Sequence, residues 1–263
     1  ANPGMDRIFA PDPKNLTVVT PTANNTYKAN AYFQQTVTVI PDRLILIAGF
    51  TNSKIRTNNI ANVNTGATGA SVEGRENLHR YGVVFNLTKQ VALYAMESTT
   101  FSPTNGRDIN NNLLPAVKGL GREVGVKTLL FDGRLSSTIA VFDINLTNQA
   151  FFAGVRPDGI SYLAPIGRVT QKGFDIDLAY SPIRGLQFVG AYYRGKVRAL
   201  REDINYLAGV DGDNVPNSYS GQYSLVGRYE FQQGSLKGFN VGAGFTSLIG
   251  RLLSSGNYVG GPA

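Results

Sequence analysis

The sequence predicts an all-β fold, an antiparallel transmembrane β-barrel, because its apolar residues alternate, its turns recur regularly and its loops are asymmetric. Segments of about ten residues alternate between apolar and polar side chains and are joined in pairs by short turns. Polar stretches rich in Asn, Gly, Thr, Ser and Arg separate one pair from the next. A tilted strand of about 9–11 residues crosses the hydrocarbon layer, whereas strands of soluble proteins average about 5–6 residues. Strand length and loop asymmetry therefore favour the barrel over a soluble sandwich.

Composition agrees with this fold and excludes other classes. The 263 residues include 13 Tyr, 14 Phe and 30 Gly, which suit strands with aromatic girdles at a membrane interface. There is no Cys, which excludes disulfides and thiolate metal sites. No run of about 18 apolar residues occurs, which excludes helical membrane spans. We expect one β-barrel region over residues 1–263.

Five hairpins are expected in order along the chain, each with one short turn. They pair residues 27–40 with 44–54, 79–87 with 91–101, 124–130 with 135–146, 173–180 with 186–198, and 222–231 with 239–246. In the first hairpin, Leu44, Leu46 and Phe50 share one face because side chains alternate along a strand. In the second, Tyr81 and Phe85 do the same.

The third hairpin has the clearest turn. Asp132-Gly133 between alternating apolar residues is a strong signal for a two-residue turn, since Gly accepts the positive φ that such a turn requires. Its first arm sets Val124 apart from the neighbouring polar residues. In its second arm we place Phe142 on the apolar face and Asp143 on the polar face.

The fourth and fifth hairpins repeat the alternation. Ile176 alternates with Asp175 and Asp177, and Leu225 lies on the face opposite Arg228. In a barrel, the charged side chains of the polar face lie in a wet interior. Those predicted to do so are Lys127, Asp143, Asp175, Asp177, Arg228 and Glu230.

The chain is basic, with a net charge of +7 and a pI near 9.6. A basic chain often binds nucleic acid, but here the Lys and Arg residues are scattered over loops and strand ends. A basic mouth that attracts anionic ligands, or contacts with anionic lipid headgroups, explains the charge equally well. We therefore expect no nucleic-acid partner.

A family resemblance extends from about Tyr27 to Tyr258. Residues 121–127, Gly-Arg-Glu-Val-Gly-Val-Lys, resemble the Glu-Val-Gly-Val-Lys strand of TonB-dependent outer-membrane receptors, and the turn and strand at 131–145 follow it as in that family. Further segments that resemble the family at the correct spacing are 32–35 with 42–44, 81–88, 93–95, 112–115 and 173–177.

The resemblance implies a partial barrel, since the family's barrels have 22 strands and about ten are predicted here. It also implies that the family's plug domain and final strands are absent from this chain. The implied function is siderophore-receptor-like uptake of a scarce ligand, most often a ferric siderophore, across the outer membrane of a Gram-negative-type bacterium. The TonB complex would act through the plug, iron would be present only within the transported complex, and no cofactor is implied. The alternative is a standalone outer-membrane pore or porin-like barrel, whose first and last strands would pair.

The resemblance places ligand binding in the outer loops. Basic and aromatic side chains there are the candidate ligand-binding residues: Arg56, Arg75, Arg107, Arg156, Tyr162, Arg168, Tyr193, Arg198, Arg201 and Tyr206, with Lys54 and Tyr219 beside them. The alternative for each Arg is a contact with the phosphates of lipopolysaccharide. No catalytic role is expected, since His79 is the only histidine and no nucleophile, zinc or nucleotide motif occurs.

Overall fold

The computed structural model describes residues 23–62, 67–68, 71–104, 106–110, 112–157, 159–165, 167–200, 215, 218–254 and 257–258. Arg201 and Tyr206 lie outside these residues. The strands are β1 (Ala23–Ile40), β2 (Leu44–Asn62), β3 (Ala67–Thr68), β4 (Val72–Asn86), β5 (Val91–Ser102), β6 (Val117–Leu130), β7 (Leu135–Thr147), β8 (Ala150–Val155), β9 (Ser161–Pro165), β10 (Arg168–Tyr180), β11 (Leu186–Leu200), β12 (Gly221–Glu230), β13 (Asn240–Ile249), β14 (Leu252–Ser254) and β15 (Asn257–Tyr258).

Ten long strands form one antiparallel sheet in the order β1-β2-β4-β5-β6-β7-β10-β11-β12-β13, with β3 added to β2. All five predicted hairpins are confirmed: β1–β2, β4–β5, β6–β7, β10–β11 and β12–β13. β8 with β9 and β14 with β15 form separate two-stranded ribbons. Among the described residues β1 and β13 do not pair with each other, so this part of the chain is an open sheet. Within the same residues, no helix is long and apolar enough to span a membrane.

The third hairpin differs from its predicted turn. β6 ends at Leu130 and β7 begins at Leu135, so four residues, and not two, make the connection. Phe131, Asp132 and Gly133 have φ values of 54°, 54° and 83°, which lie in the left-handed region. Arg134 closes the turn by donating its backbone N–H to the carbonyl of Phe131 at 3.1 Å. Gly133 is therefore where a positive φ is needed, but within a longer turn.

The sheet has two chemically distinct faces. Direct cross-strand partners lie on the same face, so the register defines rows of side chains. One row of what we term the apolar face crosses eight strands as Leu44, Phe85, Leu93, Val126, Ile139, Ile176, Tyr192 and Tyr223. A neighbouring row of the opposite, polar face contains Tyr94, Gly125, Ala140, Asp175, Tyr193 and Gln222.

The predicted facing of β7 is wrong. Asp143 pairs with Arg122 on one side and Lys172 on the other, and it shares the apolar face with Ile139 and Val141. Phe142 lies on the polar face. The odd-numbered and the even-numbered positions of β7 both contain apolar side chains. The alternation within this strand therefore does not determine which set lies on the apolar face of the sheet. The register with β6 and β10 does.

Packing of the sheet is that of a single layer. The apolar face leaves large side chains open, with Val124 57% and Val141 58% exposed. No side chain of large volume is fully buried among the described residues. Within the described part of the chain, a small buried cluster joins Val169 and Ala199 near the loop end of β10 and β11. In the part of the chain that the structure describes, no second sheet covers the apolar face, as a soluble sandwich would require.

Candidate functional site

The centre of the polar face contains a compact cluster of side-chain contacts between β5 and β6, around Tyr94 and Gly125, which we term the Tyr94 joint. The Tyr94 ring lies over Gly125, where an added Cβ would meet the ring at 2.6 Å. The Tyr94 hydroxyl donates a short hydrogen bond to Glu123. The Lys127 ammonium lies over the Tyr94 ring, 4.9 Å from its centroid, at a distance where a cation is attracted to an aromatic face. These contacts explain why a Glu-x-Gly-x-Lys pattern belongs here.

Two further carboxylates lie beside this joint. Asp175 is in the same row as Tyr94, and Asp177 is in the row of Lys127. Strands lie about 4.8 Å apart, so Asp177 and Lys127, separated by β7, are about 10 Å apart in this direction. With Glu123, three carboxylates accompany one ammonium group in this area, which makes it acidic.

Towards the loop end the polar face becomes aromatic. Tyr193 accepts a hydrogen bond from the Gln171 amide at 3.0 Å. Its ring contacts Phe142 with 6.0 Å between centroids and meets Tyr219 edge-on at 5.6 Å. A groove of about 320 Å³ opens beside these residues, and it is also lined by Met96, Ser98, Gly121 and Ile144. A ligand with an apolar or aromatic surface and a hydrogen-bonding group would fit such a lining.

The loop end of the apolar face contains a dense group of charges that we term the basic belt. Within the described strands its cations are Lys54, Arg56, Arg75, Lys118, Arg122, Arg168, Lys172, Arg194, Lys196 and Arg198, and its carboxylates are Glu73, Glu97 and Asp143. Ten cations against three carboxylates leave an excess of seven. All ten cationic side chains are exposed.

Each carboxylate of the belt is paired with a cation. Glu73 contacts Lys54 at 2.8 Å, Glu97 contacts Arg122 at 2.7 Å, and Asp143 contacts Lys172 at 2.7 Å. Glu97 also lies 3.4 Å from His79. Lys118 contacts Glu76 of β4 at 2.6 Å across β5, which lies between β4 and β6 in the sheet.

The loop between β5 and β6 is held by a polar turn. Asp108 accepts hydrogen bonds from the backbone N–H groups of Asn112 at 2.7 Å and Asn110 at 2.9 Å. The Asn112 bond and its neighbours hold the pKa of the Asp108 carboxyl below its usual range. The loop meets the β8–β9 ribbon where the Leu163 N–H donates to the Arg107 carbonyl at 2.8 Å.

The structure divides the candidate ligand-binding residues between several places. Tyr193 lies on the polar face beside the groove, with Tyr219 against it. Arg107, Arg156 and Tyr162 belong to the outer loops and the β8–β9 ribbon. The others that are described, Arg56, Arg75, Arg168 and Arg198, lie in the basic belt together with Lys54.

Sequence reasoning missed the Tyr94 joint and the groove. The sequence signal that could have found the joint was Gly125, which stands between a carboxylate residue and a lysine and opposite a strand that contains an aromatic residue. Among the described residues, no group of three or more His, Cys, Asp or Glu side chains could hold a metal ion. The His79 ring stacks on Tyr81 with 4.9 Å between the ring centroids, and it lies beside the carboxylate of Glu97.

Comparison with known proteins gives one family. Residues 2–262 match the family model described as TonB dependent receptor-like, beta-barrel. The chain is 34% identical over 164 residues to the Metal-pseudopaline receptor CntO of Pseudomonas aeruginosa, which covers 62% of this chain and 22% of that protein. It is 27% identical over 232 residues to an uncharacterized TonB-dependent receptor of Haemophilus influenzae, covering 84% of this chain and 65% of that protein.

Solved structures show the same fold. The alcaligin outer membrane receptor FauA of Bordetella pertussis matches with a TM-score of 0.62 and 19% identity, over 91% of this chain and 40% of that one. The pyoverdine receptor FpvA of Pseudomonas aeruginosa, bound to pyoverdine, matches with a TM-score of 0.65 and 22% identity, over 85% of this chain and 31% of that one. The chain thus spans about a fifth of the length of CntO and less than half of these structures.

Proposed function

Because the chain belongs to the TonB-dependent receptor-like β-barrel family, we propose that it is part of a receptor barrel that takes up a ferric siderophore. It lies in the outer membrane of a Gram-negative-type bacterium. The observation that carries this proposal is the family match over residues 2–262 of this chain. It agrees with the long strands of the chain, which have one apolar and one polar face. We infer that residues 1–263 are one barrel region.

The apolar face fits the hydrocarbon layer. Its rows are apolar across eight strands, and no described element covers them. In a transmembrane barrel such a surface contacts acyl chains, whereas the polar face lines the interior. This placement leaves the carboxylates Glu123, Asp175 and Asp177 in water and not in lipid.

The ligand site is assigned to the polar face at its loop end. The groove beside Tyr193, Gln171 and Phe142 lies on the polar face. Arg107, Arg156 and Tyr162 of the outer loops, together with Arg201 and Tyr206, remain candidates for the outer part of this site. Several relatives are named for metal-chelating ligands, such as the Metal-pseudopaline receptor, the Ferripyoverdine receptor and the Ferrioxamine B receptor. A siderophore of this general kind is therefore the proposed ligand.

TonB is the proposed energy-transducing partner and would act through a plug inside the barrel. The acidic area around Glu123, Asp175 and Asp177 would then face the plug, and cationic plug side chains would complement it. No bond is made or broken in such uptake, and the relatives are receptors, so no enzymatic activity and no resident cofactor are proposed.

A pair of adjacent tyrosines provides the test. Tyr193 lies on the polar face beside the groove, whereas Tyr192 lies on the apolar face against Phe174. The experiment measures growth under iron limitation and ⁵⁵Fe-siderophore binding to cells that produce the receptor or its variants. We expect Tyr193→Ala to weaken binding about tenfold, because an aromatic wall and a hydrogen bond are lost.

Tyr192→Ala is the matched control and should leave siderophore binding within about twofold of the wild type, since a group facing lipid makes no ligand contact. Equal losses in both variants would contradict the site. Failure of every siderophore tested to bind, combined with spontaneous ion conductance in planar bilayers, would favour the alternative of a standalone pore.

A further inference from the structure

The five hairpin turns lie at the end of the sheet opposite the loops, and they share one composition. Each turn contains one Lys or Arg and has an exposed apolar side chain within or beside it. The cations are Arg43, Lys89, Arg134, Arg184 and Lys237, and the apolar side chains are Ile40, Leu87, Phe131, Ile183 and Leu236. Asp42 and Asp132 are the two carboxylates of these turns. The turn end is therefore cationic and apolar together, which suits a boundary between lipid and water.

The turn between β12 and β13 lies one membrane thickness away from the loop end. Gly221 is in the same row as Val124 and Phe174, the last mainly apolar row before the basic belt. Phe231 follows Gly221 by ten positions, which is about 33 Å along an extended strand. A strand tilt of about 40° reduces this to about 25 Å, the height of the apolar band in outer-membrane barrels. Phe231 therefore lies at the opposite membrane boundary, where the short turns of such barrels face the periplasm.

Three aromatic rings lie together at this boundary. The ring centroids of Tyr229 and Phe231 are 5.1 Å apart, and those of Phe231 and Phe239 are 6.1 Å apart. The Phe231 N–H donates to the Phe239 carbonyl at 2.9 Å, so these two residues continue the register in which Tyr229 pairs with Val241 on the apolar face. Aromatic side chains are enriched at the level of lipid headgroups. The rings thus place the neighbouring turn residues at headgroup level.

A cavity of about 600 Å³, which we term the turn cavity, opens beside these rings between the β10–β11 turn and the β12–β13 turn. Its lining combines cations, amides and aromatic rings: Arg184, Lys237, Gln232, Gln233, Tyr229 and Phe231. Glu230 also lines it, and the Arg228 guanidinium lies 3.2 Å from that carboxylate. Because Arg228 offsets Glu230, the turn cavity keeps the charge of its two cations.

Backbone hydrogen bonds hold the walls of the turn cavity in place. The Glu230 N–H donates to the Gly185 carbonyl at 2.8 Å and thereby joins the two turns. Within the second turn, the Lys237 N–H donates to the Gly234 carbonyl at 3.2 Å. The cations are therefore presented from fixed backbone on two separate hairpins.

The cations of the other turns serve a different purpose. Arg43 donates to the Leu87 carbonyl at 3.4 Å, and Arg134 donates to the Pro182 carbonyl at 3.3 Å, so each joins its own turn to the next one. Among the described residues, the two cations of the turn cavity have no ion pair and no side-chain hydrogen bond of this kind. Their charge is available to an anionic ligand.

We propose that the turn cavity binds the headgroup of an anionic phospholipid in the periplasmic leaflet. Arg184 binds phosphate oxygens in a bidentate manner, and Lys237 adds a point charge beside it. Ile183 and Leu236, each next to one of these cations, are 60% and 51% exposed and contact the acyl chains of the same lipid. A soluble phosphate would use the cations but not these apolar side chains, so a lipid is the occupant. This proposal rests on the placement of the apolar face in lipid given above.

The test measures lipid binding to the purified receptor by native mass spectrometry. The probes are phosphatidylglycerol, which is anionic, and phosphatidylcholine with the same acyl chains, which is zwitterionic. The variant Arg184→Gln/Lys237→Gln should bind phosphatidylglycerol about 30-fold more weakly than the wild type, because each cation near an anionic surface contributes roughly fivefold. Binding of phosphatidylcholine should be weak and unchanged.

Two matched variants separate charge position from folding and from total charge. Lys28→Gln/Arg80→Gln removes two cations from the polar face and should leave phosphatidylglycerol binding unchanged. Arg184→Lys/Lys237→Arg keeps the charges and should retain most of the binding. Equal binding of both lipids by the wild type, or equal losses in the two Gln variants, would overturn the proposal.

A competition experiment distinguishes a lipid from a soluble anion. Glycerophosphoglycerol, the headgroup without acyl chains, should displace little phosphatidylglycerol at equal concentration. Displacement as effective as that by the lipid itself would overturn the lipid as the occupant. If uptake is the wrong function, siderophore binding fails while the lipid selectivity remains, so the two failures are distinguishable.

Discussion

The two faces of the sheet use the same strands for opposite purposes, and the loop end shows this most clearly. On the polar face, Tyr193 and Gln171 form an aromatic, hydrogen-bonding wall with carboxylates nearby. On the apolar face, at the same height, cations and ion pairs predominate. Neighbouring residues such as Tyr192 and Tyr193 therefore contact different surroundings. The face of the sheet on which a side chain lies, and not its position along the chain, determines what it can bind.

The largest effect is expected from placing a charge in the middle of the apolar face. Ile139 is 48% exposed in the central apolar row. Ile139→Arg should destabilise the folded receptor in lipid vesicles by about 2–4 kcal/mol, since a guanidinium near the bilayer centre is poorly solvated. Urea unfolding in vesicles measures this. Thr138→Arg, one residue away on the polar face, is the control and should cost less than about 1 kcal/mol; equal costs would mean that the faces are not distinguished by lipid.

A smaller loss is expected at the joint on the polar face. In Gly125→Ala the new Cβ would meet the Ile139 carbonyl oxygen and the Tyr94 ring at 2.6 Å each. Overpacking of this kind costs about 1–3 kcal/mol, which the same unfolding assay detects. Gly82→Ala, also on the polar face, has its nearest neighbour at 3.6 Å and should be nearly neutral. A neutral Gly125→Ala would show that the ring does not occupy this space.

Carboxylates of the two faces should respond differently to neutralisation. Glu123 accepts a charge-assisted hydrogen bond from the buried Tyr94, so Glu123→Gln should cost about 1 kcal/mol. Glu97 pairs with Arg122 in the exposed belt, where water and salt screen the attraction, so Glu97→Gln should cost less. Unfolding midpoints at low and high salt measure both. A larger loss for Glu97→Gln would reverse this order.

The smallest effect is expected in the loop turn at Asp108. Its folded-state pKa is lowered, mainly by the backbone N–H of Asn112. The ionised carboxylate therefore stabilises the turn above its unfolded pKa, and this stabilisation is lost as the pH falls through the lowered folded value. Hydrogen exchange at the Asn110 and Asn112 amides, corrected for intrinsic rates, should lose protection over that acidic range. In Asp108→Asn this pH dependence should disappear; its persistence would assign the titration to another group.

Alternation and turn spacing were enough to predict all five hairpins and the facing of most strands. β10 shows why: Phe174 and Ile176 are apolar, and Asp175 and Asp177 are charged, so only one facing is consistent with lipid on one side. β7 lacks this contrast, because Ile139 and Phe142 lie on opposite faces and both are apolar. Its facing was determined by hydrogen bonding to its neighbours, which no single segment encodes.

The candidate site was less predictable for the same reason. Arg56 and Arg168 lie near strand ends. The sequence placed them near the mouth of the predicted barrel but did not indicate on which face of the sheet they lie. Facing depends on register, which is fixed between strands far apart in sequence. The groove at Tyr193 requires Phe142, Gln171 and Tyr219 from separate segments. Loops and turns separate these segments along the chain, so local patterns do not predict such a convergence.

The tyrosine–glycine joint has a consequence for how the strands assemble. If β5 slid by two residues along β6, the Tyr94 ring would meet the side chain of Glu123 or Lys127 instead of the open surface of Gly125. A slip by one residue would move the side chains of the polar face to the apolar face and expose carboxylates to the hydrocarbon layer. Because Gly125 has no side chain, only one alignment of the two strands is allowed, and that alignment keeps the polar and the apolar faces separate.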